Sequence, residues 1–244
     1  MRFSISAKGA ATLIACTALP LSLAACSPSS LGSGGNSTAG SPTTAAAQAS
    51  TDPDAGLPTG TLLKADLVSK GIPAGYKLDG SGSVDTGSTY QPPTAPTSAT
   101  GCTNLDGTSW VNLAGRGSVS FAQNDYIDNA TSEEFAQEID AFQGTTAQDV
   151  MSALSDITAK CPTFEDSATS STVKVSVATS SSPGDGAVVI TLSDSKWVGG
   201  MTLEAVRVGH SVVTVLSSAD SGSAAIAKSM AAQIATRLTA AGSR

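Results

Sequence analysis

The sequence predicts an α+β fold in which an antiparallel sheet packs with about four helices. Three observations point to it. Four β-branched runs, "STVKVSVAT", "GAVVITLSD", "GMTLEAVRV" and "HSVVTVLSS", follow one another with only turn residues between them. Segments with helical spacing precede and follow these runs rather than alternating with them, the layout of α+β proteins. Two of those segments open on a Thr with Glu or Gln three residues later, the capping-box signature of a helix start.

Taken in order, "TLLKADLVSKG" predicts a short helix closed by Gly71 and Pro73. A turn-rich loop, "DGSGSVDTGSTYQPPTAPTSATG", follows. "RGSVSFAQND" alternates and predicts one strand ahead of the C-terminal meander. "TSEEFAQEIDAFQ" then predicts a helix, with Thr131 and Glu134 as its capping box and Phe135, Ile139 and Phe142 on one face. "TTAQDVMSALSDITAKC" predicts another, with Thr145 and Gln148 as the box and Val150, Leu154 and Ile157 as the buried stripe. Pro162 prevents its continuation. The four strands form the meander, the first two joined by the turn "SSPGDG". "SAAIAKSMAAQIATRL" closes the chain as a helix packed through Ile226, Met230, Gln233, Ile234 and Leu238.

Ahead of this domain, expected over residues 60–242, lies a segment of a different kind. Arg2 and Lys8 precede an uncharged run from Gly9 to Ala25, a basic n-region and an apolar h-region that predict a secretory signal peptide over residues 1–25. Polar and turn residues dilute the run, which argues against a permanent membrane span. It ends Leu23-Ala24-Ala25-Cys26, which resembles the bacterial lipobox. That resemblance implies a diacylglyceryl group on Cys26, with two acyl chains supplying the paired hydrophobic signals that stable anchoring needs. Leu13-Ile14-Ala15-Cys16 fits the same pattern, but the apolar segment before it, Gly9 to Ala15, is at the short limit of an h-region, so Cys26 is preferred. Residues 26–59 then form a Ser/Thr/Gly/Pro tether, whose composition cannot offset its own ordering entropy. The expected location is the outer face of the cytoplasmic membrane.

The chain carries 13 Lys and Arg against 20 Asp and Glu. Removing residues 1–25 takes away two basic residues and no acid, which leaves 11 against 20, a net of −9. Such a domain has no electrostatic footprint for nucleic acid, and acyl chains rather than charge must hold it at a bilayer. Of its four cysteines, only Cys102 and Cys161 remain once Cys16 and Cys26 are set aside. In an oxidising compartment they are expected to form a disulfide. The alternatives are a buried thiol or a metal ligand, and neither cysteine has a partner at zinc spacing.

The layout "LLKADLVSKGIPAGY", a Pro-rich loop, "GC", a Trp, paired helices ending in Cys, a four-strand meander and a C-terminal helix resembles actinobacterial surface lipoproteins. It is similar to the extracellular sensor domain of PknH-like receptor kinases and its lipoprotein relatives. The resemblance implies an α+β domain with a cleft between sheet and helices that binds an extracellular ligand. Members commonly carry two disulfides, whereas this chain offers one pair.

No catalytic motif emerges. His210 is the single histidine, at a strand edge beside Gly209, and no G-x-S-x-G segment is present. The acids of "NDYIDNATSEE" (Asp125, Asp128, Glu133, Glu134) lack EF-hand spacing for calcium. A pair of carboxylates for glycoside hydrolysis can lie far apart in a chain and leaves no local signature. The ligand-surface candidates are Tyr90, Trp110, Tyr126 and Trp197, aromatic side chains able to line a pocket. The expectation is a non-catalytic, monomeric module without cofactor or metal, which binds a small molecule or a protein. A secreted hydrolase and a structural envelope protein are the alternatives.

Overall fold

The computed structural model describes residues 53–93, 102–105, 117–219 and 222–242. The expected signal peptide, Cys16, Cys26, most of the expected tether and Trp110 lie outside them. Among the described residues one antiparallel sheet of eight strands forms the middle layer. The strands are β1 (Lys77–Asp85), β2 (Ser120–Asp128), β3 (Glu133–Ala141), β4 (Thr163–Asp166), β5 (Ser171–Thr179), β6 (Gly186–Ser193), β7 (Met201–Val208) and β8 (Ser211–Ser217). Their order across the sheet is β1-β2-β3-β8-β7-β6-β5-β4. The helices are α1 (Gly60–Asp66), α2 (Thr146–Ser155), α3 (Ile157–Lys160) and α4 (Ser223–Gly242). No helix among the described residues is long and apolar enough to cross a membrane.

The α+β class is therefore correct, and β5 to β8 pair consecutively as the glycine-punctuated runs predict. The sheet is larger than expected, however, and three elements differ. The segment expected to be a helix over 131–143 is strand β3, in the middle of the sheet between β2 and β8. The loop expected from Asp79 begins as edge strand β1, with its register interrupted between Asp79 and Val84. Strand β4, only four residues long, caps the opposite edge. Both edges are shielded from further pairing, one by an irregular Gly/Ser stretch and the other by brevity.

The reason for the helix-to-strand change is visible in β3. Phe135 and Ile139 are four residues apart, a spacing that serves a helical face and a strand face equally. The residue between them that would have revealed the alternation is Gln137, which is polar yet fully buried. Its side chain accepts from the Val68 N–H at 2.8 Å and donates to the Val68 carbonyl at 3.1 Å. Gln137 thus ties the chain leaving α1 to the sheet.

Each sheet face carries its own core. α1 and α4 cover one face, packing Leu63, Met230, Ala231 and Ile234 on Ile139, Val213, Val215 and Val206. α2 and α3 cover the other, with Val150, Leu154 and Ile157 set against Val175, Ile190, Leu203 and Leu216. The 145–161 helix is broken at Asp156, whose φ of −94° and ψ of 8° separate α2 from α3. Cys102 and Cys161 form the expected disulfide, with their Cα atoms 5.5 Å apart. It fastens the 3₁₀ turn Cys102–Leu105 to the end of α3, beside buried Leu105.

Packing also begins upstream of the boundary expected at residue 60. Leu57 is buried, Gln143 donates to Asp54 at 2.6 Å, and the Ser120 hydroxyl donates to the Pro58 carbonyl at 2.6 Å. Asp54, Leu57 and Pro58 thus pack against the folded domain.

Candidate functional site: a carboxylate-lined sheet face

Pairing places residues from four strands side by side on the α2-facing side of the sheet. Asp79 opposes Asp125, Asp125 opposes Ala136, and Ala136 opposes Leu216. The next row holds Val84, Gln123, Glu138 and Thr214, and the one after it brings Asp140 beside Phe121 and Val212. Glu134 lies one same-face step from Ala136 in the other direction. Five carboxyl groups thus gather at the β1–β2–β3 end of a face whose other half is apolar. Same-face neighbours stand about 7 Å apart along a strand and about 5 Å apart across one.

Burial and mutual repulsion raise the proton affinity of four of these groups. Asp125 is pushed up to about 6, first by burial, against a hydrogen bond from Gln123, with the Asp79 charge adding to the rise. The close cover is the backbone of β1, since a Cβ at Gly82 would lie 2.0 Å from Asp125 Oδ2. Glu134 reaches about 7 through burial and the charges of Asp125 and Asp79. Glu138 lies deep among protein atoms while keeping some solvent contact, and burial together with Asp140 holds it well above the ordinary range. Asp140, 3% exposed, is raised to about 6 by burial, against hydrogen bonds from Ser118 and Glu138. Glu138 therefore keeps its proton and donates it to Asp140. Asp79 goes the other way, held low by the hydroxyl and N–H of Ser81.

Two features set this cluster apart from a solvated acidic surface. Among the described residues, no Lys, Arg or His pairs with any of the five carboxylates. The ion pairs there are Lys64–Asp85 at 2.9 Å and Arg207–Asp185 at 3.3 Å. In addition, the buried Asp140 carboxyl is held from within the cluster, by Ser118 and by the Glu138 carboxyl, rather than by a cation. The other buried acids are satisfied differently. Asp166 accepts from Trp197 Nε1, the Ala168 N–H and Thr169, which outweigh its burial and lower its pKa. Glu204 accepts from the hydroxyls of Ser180 and Ser182.

Of the aromatic residues proposed from sequence, the three that are described, Tyr90, Tyr126 and Trp197, do not converge. Tyr126 is 5% exposed on the opposite sheet face, stacked on Phe135 at 4.7 Å, with its hydroxyl given to the Val68 carbonyl at 3.0 Å. Both its ring and its hydroxyl are committed to contacts within the core. Trp197 is buried after β6, with its indole N–H on Asp166, and three strands lie between β6 and β2. Tyr90 is half-buried, and its hydroxyl donates to the Leu57 carbonyl. His210 sits on an exposed turn, where Nδ1 donates to the Gly144 carbonyl at 2.9 Å. Sequence reading singled out Asp125 and Glu134 but missed Glu138 and Asp140, which it placed on a helix. The local signal was the charged/apolar alternation "EIDA", residues 138–141.

No protein-family model matches the chain, and no curated protein matches it. The class stated here is accordingly one of architecture alone: an antiparallel α+β sandwich with an acid-lined patch on one sheet face.

Proposed function

We propose that this chain is a lipid-anchored extracellular binding protein of the cell envelope, without catalysis, and that its ligand docks on the carboxylate-lined face. One observation carries the docking half of this reading. A folded domain that gathers five carboxyl groups on one sheet face, with no cation paired to them among the described residues, and raises the pKa of four of them sacrifices stability there, and such sacrifice is concentrated at functional sites. The lipobox-like Leu23-Ala24-Ala25-Cys26 and the resemblance to PknH-like sensor domains support the anchored, ligand-binding half. Hydrolysis of glycosides by Glu138 and Asp140 is disfavoured. They hydrogen-bond to each other, whereas such pairs stand at least about 5 Å apart.

Replacing Cys26 with Ser is expected to move the protein from the membrane fraction to the medium. Unchanged fractionation counts against the anchor. Docking is tested by labelling carboxyl groups on intact cells and on the purified chain, then mapping modified peptides by mass spectrometry. The peptide carrying Asp125 and Glu134 is expected to be protected on cells. Equal labelling in both preparations removes the docking reading.

A further inference from the structure

We propose that the Asp79–Ser83 stretch of β1 is a flap, closed over a protonated Asp125 in mild acid and released from β2 once that carboxyl ionises. The inference concerns the movement of one edge segment and does not depend on the docking reading above.

The geometry lies in the pairing of β1 with β2. Asp79 opposes Asp125 and Val84 opposes Gln123, so the four residues from Gly80 to Ser83 face Asn124 alone. Surplus residues of this kind bulge and leave ladder groups unpaired. The bulge folds over Asp125. A Cβ at Gly82 would stand 2.0 Å from Asp125 Oδ2, 2.5 Å from Cγ and 2.6 Å from Cβ. Backbone therefore takes the place of water beside this carboxyl. β1 is the edge of the sheet, so among the described residues no strand pairs with the outer side of the flap. The Ser83 hydroxyl ties it to β2, donating to Asn124 Oδ1 at 2.7 Å. Its two ends are fastened more firmly. Ahead of it the Tyr76 hydroxyl donates to Glu133 at 3.1 Å and the Tyr76 ring packs on Phe135. Behind it Lys64 holds Asp85 at 2.9 Å, and the Thr86 N–H donates to the Phe121 carbonyl at 3.1 Å.

Charge supplies the drive. Asp125 is faced by Asp79 and, one step along β1, by Lys77. From β2 Gln123 donates to its Oδ1 at 2.8 Å, and β3 presents Glu134 and Glu138, with Asp140 beyond. Lys77 is exposed and pairs with none of these acids. Asp79, kept ionised by the hydroxyl and N–H of Ser81, is carried by the flap itself. An ionised Asp125 thus meets a negative flap and negative neighbours, with little water to solvate it. Lifting the flap restores that water and moves Asp79 away, and the Asp125 proton passes to the solvent.

While covered, Asp125 protonates near about 6, raised first by burial, whereas an uncovered Asp does so near about 4. The closed state is therefore favoured fully below about pH 4 and loses that support as pH rises through about 6. On these values the flap opens roughly tenfold more readily at pH about 8 than at pH about 5.

The test is amide exchange of the full-length chain in detergent, followed by mass spectrometry on peptides covering 77–85 and 211–217. It is run at pH about 5 and about 8, with each rate corrected for the intrinsic pH dependence of exchange. The β1 peptide should exchange roughly tenfold faster at the higher pH, and faster than the β8 peptide at both. Asp125→Asn, uncharged throughout, should keep the slow rate of the parent at pH about 5 under both conditions. Gly82→Ala puts a methyl where the carboxyl stands and should exchange fast at both pH values. Gly80→Ala, whose Cβ meets nothing within 4 Å, should behave as the parent. Melting curves confirm that each variant is folded. A β1 rate indifferent to pH, the parent's pH response retained in Asp125→Asn, or β1 and β8 exchanging in step overturns the inference. Gly82→Ala behaving as Gly80→Ala overturns it too.

Discussion

Removing the Cys102–Cys161 disulfide lowers the stability of the domain by roughly 4 kcal/mol and its melting temperature by roughly 10 °C. The bridge spans 59 residues of sequence. Cutting it returns to the unfolded chain the freedom that closing so long a loop had taken away. The folded state loses something as well. The bridge holds the 3₁₀ turn Cys102–Leu105 against the end of α3, and Leu105, 1% exposed, fills the α2-side core only while that turn stays in place. The measurement is denaturant unfolding of the oxidised protein, the reduced protein and a Cys102→Ser/Cys161→Ser double variant. The reduced and double-variant curves should coincide at a lower midpoint. A midpoint that does not move shows that Leu105 and its neighbours hold without the bridge.

Between about pH 5 and pH 8 the domain is expected to become less stable as pH rises, the reverse of a protein held by ionised salt bridges. Asp125 and Asp140 protonate near about 6 and Glu134 near about 7, with Glu138 well above its ordinary range. All four folded-state values exceed those of the unfolded chain. Their contribution is therefore fully present below about pH 4, where both states are protonated, and is lost as pH rises through about 6 and 7. Asp79, Asp85 and Asp166 are lowered, so what they contribute holds above about pH 4 and is lost only on stronger acidification. The melting temperature should accordingly peak in mild acid.

Asp140→Asn isolates the effect. The neutral amide removes a buried charge and can donate an N–H to Glu138, so the variant should be more stable than the parent at pH about 8, by about 1–3 kcal/mol. At pH about 5 the difference should shrink. A melting temperature that climbs steadily from about pH 5 to pH 8, or an Asp140→Asn variant less stable at the higher pH, refutes this account of the cluster.

The chain shows how far local pattern carries. Strands β5 to β8 were legible because β-branched alternation and glycine turns coincide there, and each strand pairs with its neighbour in sequence. α2 was legible because Val150, Leu154 and Ile157 keep one helical face while Thr145 and Gln148 mark its start. α4 showed itself through Met230, Ile234 and Leu238. The disulfide followed from having two cysteines left to pair.

β3 and β1 were misread for physical reasons. β3 holds good helix formers, Glu133, Glu134, Gln137 and Glu138, and its apolar spacing fits either period. What makes it a strand is hydrogen bonding on both sides, to β2 and to β8, the latter 70 or more residues away along the chain (Ala141 opposes Ser211, Ile139 opposes Val213). Helix propensity amounts to a few tenths of a kcal/mol per residue and does not survive that competition. β1, rich in Gly and Ser, has almost no strand propensity of its own, and its pairing with β2 supplies the structure.

The candidate site depended wholly on those two misread segments. Sequence alone determined the acidic balance, the lone cysteine pair, the lipobox-like stretch and the C-terminal meander, because each is a property of composition or of residues near one another in the chain. Only the tertiary structure decided that Asp79, Asp125, Glu134, Glu138 and Asp140 share one sheet face without a counter-charge among the described residues. Their proximity arises from strand register between segments up to about 60 residues apart. Register is set by which side chains each face buries, a choice the chain makes only when it folds.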